Sequence, residues 1–197
     1  MDKAAKTRYP ILDVIGNRWS PRAYSEKRVE SEKLASILEA ARWAPSCFNE
    51  QPWRFIVATQ EDPESFNALL NCLLDANKLW AKRAPVLILT TAATTFARND
   101  THNRHAFHDL GLAVGNLCAQ ATALQLYVHQ MAGFHVDKVR EAYQIPHGFE
   151  PVTVMAVGYE GQLEDLPEAL QSKETGPRVR KPHEELFLKT WGQEYEF

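Results

Sequence analysis

Apolar positions along the chain change period several times, and each change marks an element. Leu34, Ile37, Leu38 and Ala41 recur at i, i+3, i+4 and i+7, which predicts a helix over 31–43 with one apolar stripe. Ser31 reads as its N-cap, and Pro45 limits how far it continues. Trp53–Thr59 (WRFIVAT) carries the aromatic and β-branched residues of a strand. Asp62-Pro63 reads as an N-cap followed by proline at the first helical position, opening a helix to about residue 79. The continuous apolar run VLILTT, 86–91, predicts a strand buried on both faces.

The longest predicted helix covers 106–126. It is apolar nearly all round, and Gly111, Ala113, Gly115, Ala119 and Ala121 would let another backbone come close, in a core or a dimer interface. Tyr127–Met131 reads as a strand, Val136–Tyr143 as a short amphipathic helix, and 152–159 (VTVMAVGY) as another buried strand. From Glu160 onward the chain is more polar, richer in proline and weakly periodic. The order of elements predicts an α/β or α+β sandwich, with helices covering a sheet of four or five strands. Its 197 residues fit one domain, 1–197, with about 160–197 as a C-terminal extension.

Composition removes several classes of function. The net charge is −3 and the basic residues are dispersed apart from a cluster near the C-terminus, so no stripe suited to nucleic acid or to a membrane surface is present. Cys47, Cys72 and Cys118 form no CxxC pair, which points away from a disulfide framework or zinc site and toward a reducing compartment, the cytoplasm. The first residues, MDKAAKTRYPILDVIG, lack the apolar stretch of a signal peptide. No GxGxxG follows a strand, and neither a GxxxxGK[ST] loop nor a GxSxG elbow occurs. His102, His105 and His108 beside Asp109 are spread around a helix, a poor arrangement for a metal.

Four segments could carry chemistry. Arg18-Trp19-Ser20-Pro21-Arg22 sets two guanidinium forks and a hydroxyl where they can converge on a phosphate; the alternative is a charged surface turn. Pro45–Pro52 holds serine, asparagine and glutamine between prolines, either a polar loop that reads a ring edge or a plain connection. Within it Cys47 reads as a nucleophile or, more simply, a packed thiol. Arg178-Val179-Arg180-Lys181 could add cations to the same phosphate or be solvated surface. Gln130-Met131-Ala132-Gly133 ends a strand in glycine, which permits close backbone approach to a ligand or simply a turn.

Taken in order, these pieces resemble the nitroreductase family. The likeness lies in Arg18-x-Ser20-x-Arg22, in 34–41 (LASILEAA), and above all in Ala44-Pro45-Ser46-Cys47-Phe48-Asn49-Glu50-Gln51-Pro52-Trp53-Arg54-Phe55. It continues through AKRAPVLIL (81–89), Ala132-Gly133-Phe134 and Arg178-x-Arg180-Lys181-Pro182, and so covers nearly the whole chain.

The resemblance implies an α+β sandwich with a central, mostly antiparallel sheet flanked by helices, and an intertwined homodimer with FMN at the subunit interface. It implies that Arg18, Trp19, Ser20 and Arg22, with Arg178 and Arg180, hold the phosphate and ribityl chain. Pro45, Ser46 and Asn49 would reach the flavin of the partner subunit, while Asn77, Met131, Ala132 and Gly133 would face the ring. The implied reaction is ping-pong transfer from NAD(P)H to a small acceptor such as a nitroaromatic or quinone, with no catalytic acid, base or nucleophile from the protein. Gln125 stands where the family often has glycine, and Ala132 where some members carry glutamate. Two other readings stay open: a flavin-binding sensor or store with little turnover, its ring face closed by Trp19, Trp80 or Phe107, and a structural protein whose small-residue helix is a dimer seam.

Overall fold

The computed structural model describes residues 3–197. In chain order the elements are α1 (Asp13–Gly16), α2 (Ser31–Arg42), β1 (Trp53–Thr59), α3 (Pro63–Cys72), α4 (Asp75–Ala81), β2 (Val86–Ala93) and α5 (Ala106–Ala123). There follow β3 (Tyr127–Met131), α6 (Val136–Tyr143), β4 (Phe149–Gly158), α7 (Glu168–Thr175), α8 (His183–Leu186), β5 (Leu188–Thr190) and β6 (Gln193–Glu194). The main sheet has the order β1-β2-β4-β3, with every pairing antiparallel.

β2 sits inside the sheet and is buried along all but its last residue, as its uninterrupted apolar run requires. Its side chains alternate between two cores. Val86, Ile88 and Ala92 join Ile37 and Ala41 of α2 and Leu110, Ala113 and Leu117 of α5 on one face. Leu87 and Leu89 meet Phe66 and Leu69 of α3, Trp80 of α4 and Val139 of α6 on the other. Burial of each such side chain contributes about 1.5–3 kcal/mol, so this two-sided packing is what fixes the strand register.

Three expectations are corrected. The helix expected from 62 to about 79 is two helices, because Leu73 pairs with Phe134 in a β-bridge and Leu74 donates its N–H to Gly133 O at 3.0 Å. That pairing takes the backbone out of helix geometry, although the Asp62 cap and Pro63 at the first turn stand where the sequence places them. Ser31 is the first residue of α2 and makes no capping bond; Glu30 precedes it with extended backbone.

The long helix stops at Ala123. Leu126 N–H bonds to Ala121 O and Gln125 N–H to Thr122 O, the two bonds of a Schellman stop, with Gln125 left-handed at φ 61. Nor is α5 covered all round. Leu110, Ala113, Leu117 and Ala121 are buried, whereas Phe107 and Leu112 are exposed and nothing lies within 4 Å of a Cβ built on Gly111 or Gly115.

The first part of the C-terminal extension packs on its own subunit. Tyr24 and Glu160 form a β-bridge, and Gly161 N–H donates to Ala23 O at 2.8 Å. Gly161 is needed there: an added Cβ would lie 2.5 Å from the carbonyl carbon of Tyr24.

Candidate active site

The segment after α1 is held in place from two sides. From β3, His129 Nδ1 lies 2.8 Å from Pro21 O, so the neutral ring donates to that carbonyl. Burial, with Arg22 adding to it, pushes the His129 pKa down to about 4, against hydrogen bonding to Pro21 that pulls the other way. From α7, the fully buried Glu174 accepts the N–H groups of Arg22 at 2.8 Å and Ala23 at 3.0 Å through Oε1. Its Oε2 has no hydrogen bond and faces the Arg22 guanidinium at 3.8 Å. Glu174 carries no sequence signal of this role: it lies 152 positions from Arg22 in an unremarkable polar helix.

The fixed segment opens onto a cavity of about 240 Å³. Lys3, Arg18, Arg22, Lys173, Arg178 and Arg180 line it together with Trp19 and Ser20, and Glu174 is the one carboxylate among its lining residues. Arg18 reaches Ser20 Oγ at 3.3 Å. Trp19 is buried edge-on against Tyr127, ring centroids 6.2 Å apart, and forms a wall. Arg178 donates to the carbonyls of Lys3 and Gly16, tying the N-terminal arm to the tail. Burial, then the charges of Arg18 and Arg180, hold its guanidinium below the ordinary value. The donor set therefore fits a phosphate ester: bidentate forks, a hydroxyl and an excess of positive charge.

Arg18 also lines an apolar cavity of about 370 Å³ with Gln130, Phe107, Leu110, Val114 and the open Gly111 and Gly115. A flat ring system would find apolar walls there next to the arginine-lined cavity.

The remaining expected residues lie in two other places. At the end of β3, Asn77 Nδ2 donates to Gly133 O at 3.0 Å, and a Cβ on Gly133 would come within 2.7 Å of that nitrogen. Ala132 is exposed beside them. The Met131 side chain packs in the core with Leu89 and Val154, which leaves its backbone as the part that can meet a ligand. Trp80 is removed as a lid, since it is buried against Tyr24 and His129.

Pro45, Ser46 and Asn49 form the third group, and they line neither the arginine-rich cavity nor the apolar one. Their loop is locally fixed. Cys47 N–H donates to Asp109 Oδ2 at 2.9 Å, and Ser46 Oγ accepts from Gln51 N at 3.0 Å. Phe48, Asn49 and Gln51 all have left-handed φ, at 53, 57 and 50. Each costs about 1 kcal/mol or more outside glycine, so the loop holds a strained shape that its tertiary bonds maintain. Asp109, expected beside the histidines, is thus a buried loop anchor that also faces His108 Nδ1 at 3.2 Å.

The fold has close parallels. A solved structure described as an oxidoreductase containing FMN is 31% identical with a TM-score of 0.89, covering 96% of each chain. A structure from Desulfovibrio desulfuricans, determined in complex with FMN, is 28% identical with a TM-score of 0.70 over 93% of this chain and 98% of that one. The major NAD(P)H-flavin oxidoreductase of Aliivibrio fischeri is 26% identical over 219 residues, spanning 91% of this chain and 98% of its own. The model of the nitroreductase family matches residues 15–159, from the arm that carries Arg18 to the end of the sheet, and this chain therefore belongs to the nitroreductase family.

Proposed function

We propose that the protein is an FMN-dependent NAD(P)H oxidoreductase. The observation that carries this is the cavity in which Arg18, Ser20, Arg178 and Arg180 converge with one buried, already engaged carboxylate. Such a site suits the 5′-phosphate of FMN, and the likeness to proteins described as containing FMN or as using NAD(P)H supports the same reading.

When bound, the flavin would supply two-electron chemistry between NAD(P)H and a small acceptor such as a nitroaromatic or quinone, in ping-pong order. The chain's own part is to bind and to orient. Arg18, Arg178 and Arg180 neutralise the phosphate, Ser20 adds a hydroxyl, and Arg22 extends from the same backbone with its N–H fixed by Glu174. The Asn77–Gly133 bond sets the backbone at the end of β3 where a ring edge can approach.

The site is completed by a second copy. The strained Pro45–Asn49 loop lines neither the arginine-rich nor the apolar cavity of its own subunit, the Phe107–Gly111–Gly115 face of α5 is open, and Trp191 in the tail is 98% exposed. A homodimer with flavin at its interface gives all three a partner, with the exposed Trp191 turn of the tail reaching the other subunit while Phe197 packs back on its own Tyr9 and Phe187. The three free cysteines suit a cytoplasmic setting.

The test is an absorption spectrum of the purified protein before and after anaerobic NAD(P)H. Flavin bands that bleach are expected. Bands that persist would leave a binding module, and no bands after reconstitution with FMN would overturn the proposal.

A further inference from the structure

A third, larger cavity of about 630 Å³ lies between the N-terminal arm and the tail. It shares Arg18, Arg178 and Arg180 with the phosphate cavity, so the two adjoin. Beyond those arginines it gains Lys6, Arg8 and Lys181, which do not line the phosphate cavity, and none of its lining residues is acidic. Its other wall is aromatic. Tyr9 and His183 stack with centroids 5.7 Å apart, and Phe187 meets His183 edge-on at 5.3 Å. Phe197 also packs on Tyr9, His183 and Phe187, with centroids 5.8, 5.8 and 5.6 Å apart, and beside it Tyr9 and Phe187 keep 44% and 45% of their surface exposed for a further ring. His183 keeps a buried Nδ1 with no hydrogen-bond partner.

Cations opposite aromatic faces in one concave site match a phosphorylated nucleoside: the base stacks on the rings and the phosphate takes the cations. The volume falls within the roughly 300–1,000 Å³ of small-molecule sites. We infer that this cavity takes the adenosine 2′-phosphate end of the dinucleotide donor and gives the protein a preference for NADPH over NADH. The inference rests on the reading of the chain as an NAD(P)H oxidoreductase. Lys6 has no ion-pair partner among the described residues, and Arg8 and Lys181 face Glu184 at 3.9 Å and Glu185 at 3.1 Å. Those pairs are solvent-exposed and weak, so a doubly charged phosphate competes well for both cations.

The test uses FMN-loaded protein, in which the flavin phosphate already occupies the shared arginines. 2′,5′-ADP is titrated in by calorimetry, with 5′-AMP as the control, against wild type, Lys6→Ala and Lys181→Ala. Expected are binding of 2′,5′-ADP at least tenfold tighter than of 5′-AMP and a severalfold loss in each variant. The same variants should raise KM for NADPH more than KM for NADH while flavin content stays constant. No binding of 2′,5′-ADP, or binding that both variants leave unchanged, would overturn the inference. Bleaching of the flavin by NADH in the same sample reports separately on the oxidoreductase reading, so the two can fail independently.

Discussion

Glu174 and Arg22 meet at two points: one carboxylate oxygen accepts the Arg22 N–H at 2.8 Å, and the other stands 3.8 Å from its guanidinium. The first contact shapes the arm that carries Arg18 to Arg22, and the second subtracts charge from it. Glu174→Gln keeps an acceptor for the Arg22 and Ala23 N–H groups but removes the negative charge. We expect a stability loss of about 1 kcal/mol and FMN bound at least as tightly as in wild type. Glu174→Ala strands both N–H groups and should cost about 2–3 kcal/mol with clear loss of flavin. If Glu174→Gln lost flavin as badly as Glu174→Ala, the separation of the two roles would be wrong.

Arg18 borders all three cavities. Arg18→Ala should weaken FMN binding by roughly 1.5–3 kcal/mol, about 10- to 100-fold in Kd, through lost charge-assisted bonds. Flavin fluorescence on titration measures this directly. Retention of FMN at wild-type affinity would remove Arg18 from the phosphate site.

The pH dependence of stability should carry the mark of His129. Its ring stays neutral in the folded protein down to about pH 4, against 6.5 for an unhindered histidine. Between those values the unfolded chain binds a proton that the folded chain refuses, so stability falls as the pH drops from 6.5 toward 4. The contribution is roughly 3 kcal/mol in all, and it is flat outside that window. Denaturant unfolding at pH 7 and pH 4.5 should show a smaller fall in His129→Gln than in wild type. Equal slopes would mean that His129 titrates normally.

The Schellman stop of α5 places Gln125 in a left-handed conformation that glycine adopts freely. Gln125→Gly should therefore stabilise the protein by about 0.5–1 kcal/mol without touching the site. A Tm lower than wild type would show that the Gln125 side chain contributes more than the backbone strain costs.

Two glycines separate an adjustable contact from a fixed one. Gly133→Ala meets only the ends of Asn77 and Leu74, which can swing away, so it should cost about 1 kcal/mol, the Asn77–Gly133 bond. Combined with Asn77→Ala it should add almost nothing. Gly161→Ala meets the Tyr24 backbone and cannot be relieved by a rotamer. A loss of about 2–3 kcal/mol is expected, and a smaller loss than in Gly133→Ala would contradict this geometry.

Elements whose pattern is local were legible in the chain. β1, β3 and α6 begin and end where composition and period place them, β2 runs two residues past its expected end, and β4 begins three residues early and stops one short. The break at Leu73–Leu74 was not legible, because it follows from pairing with Gly133 and Phe134, some 60 positions away. The arginine cluster was readable as pieces and by resemblance, since guanidinium groups announce their own chemistry. The residues that hold it were not. Glu174 and His129 act through backbone groups of the 20–23 segment, and such bonds leave no spacing rule in the sequence.

The burial of β2 on both faces also constrains how the protein is made. Its neighbours in the sheet are β1, already synthesised, and β4, whose Met155 pairs with Ile88 only after α5, β3 and α6 have been translated. At roughly 5–20 residues per second, that gap lasts on the order of ten seconds. During it the most apolar strand of the chain has one open edge and half its cover, the state in which strands join those of another molecule. Production at high level should therefore depend on chaperone capacity and on slow synthesis at low temperature, whatever the stability of the finished fold.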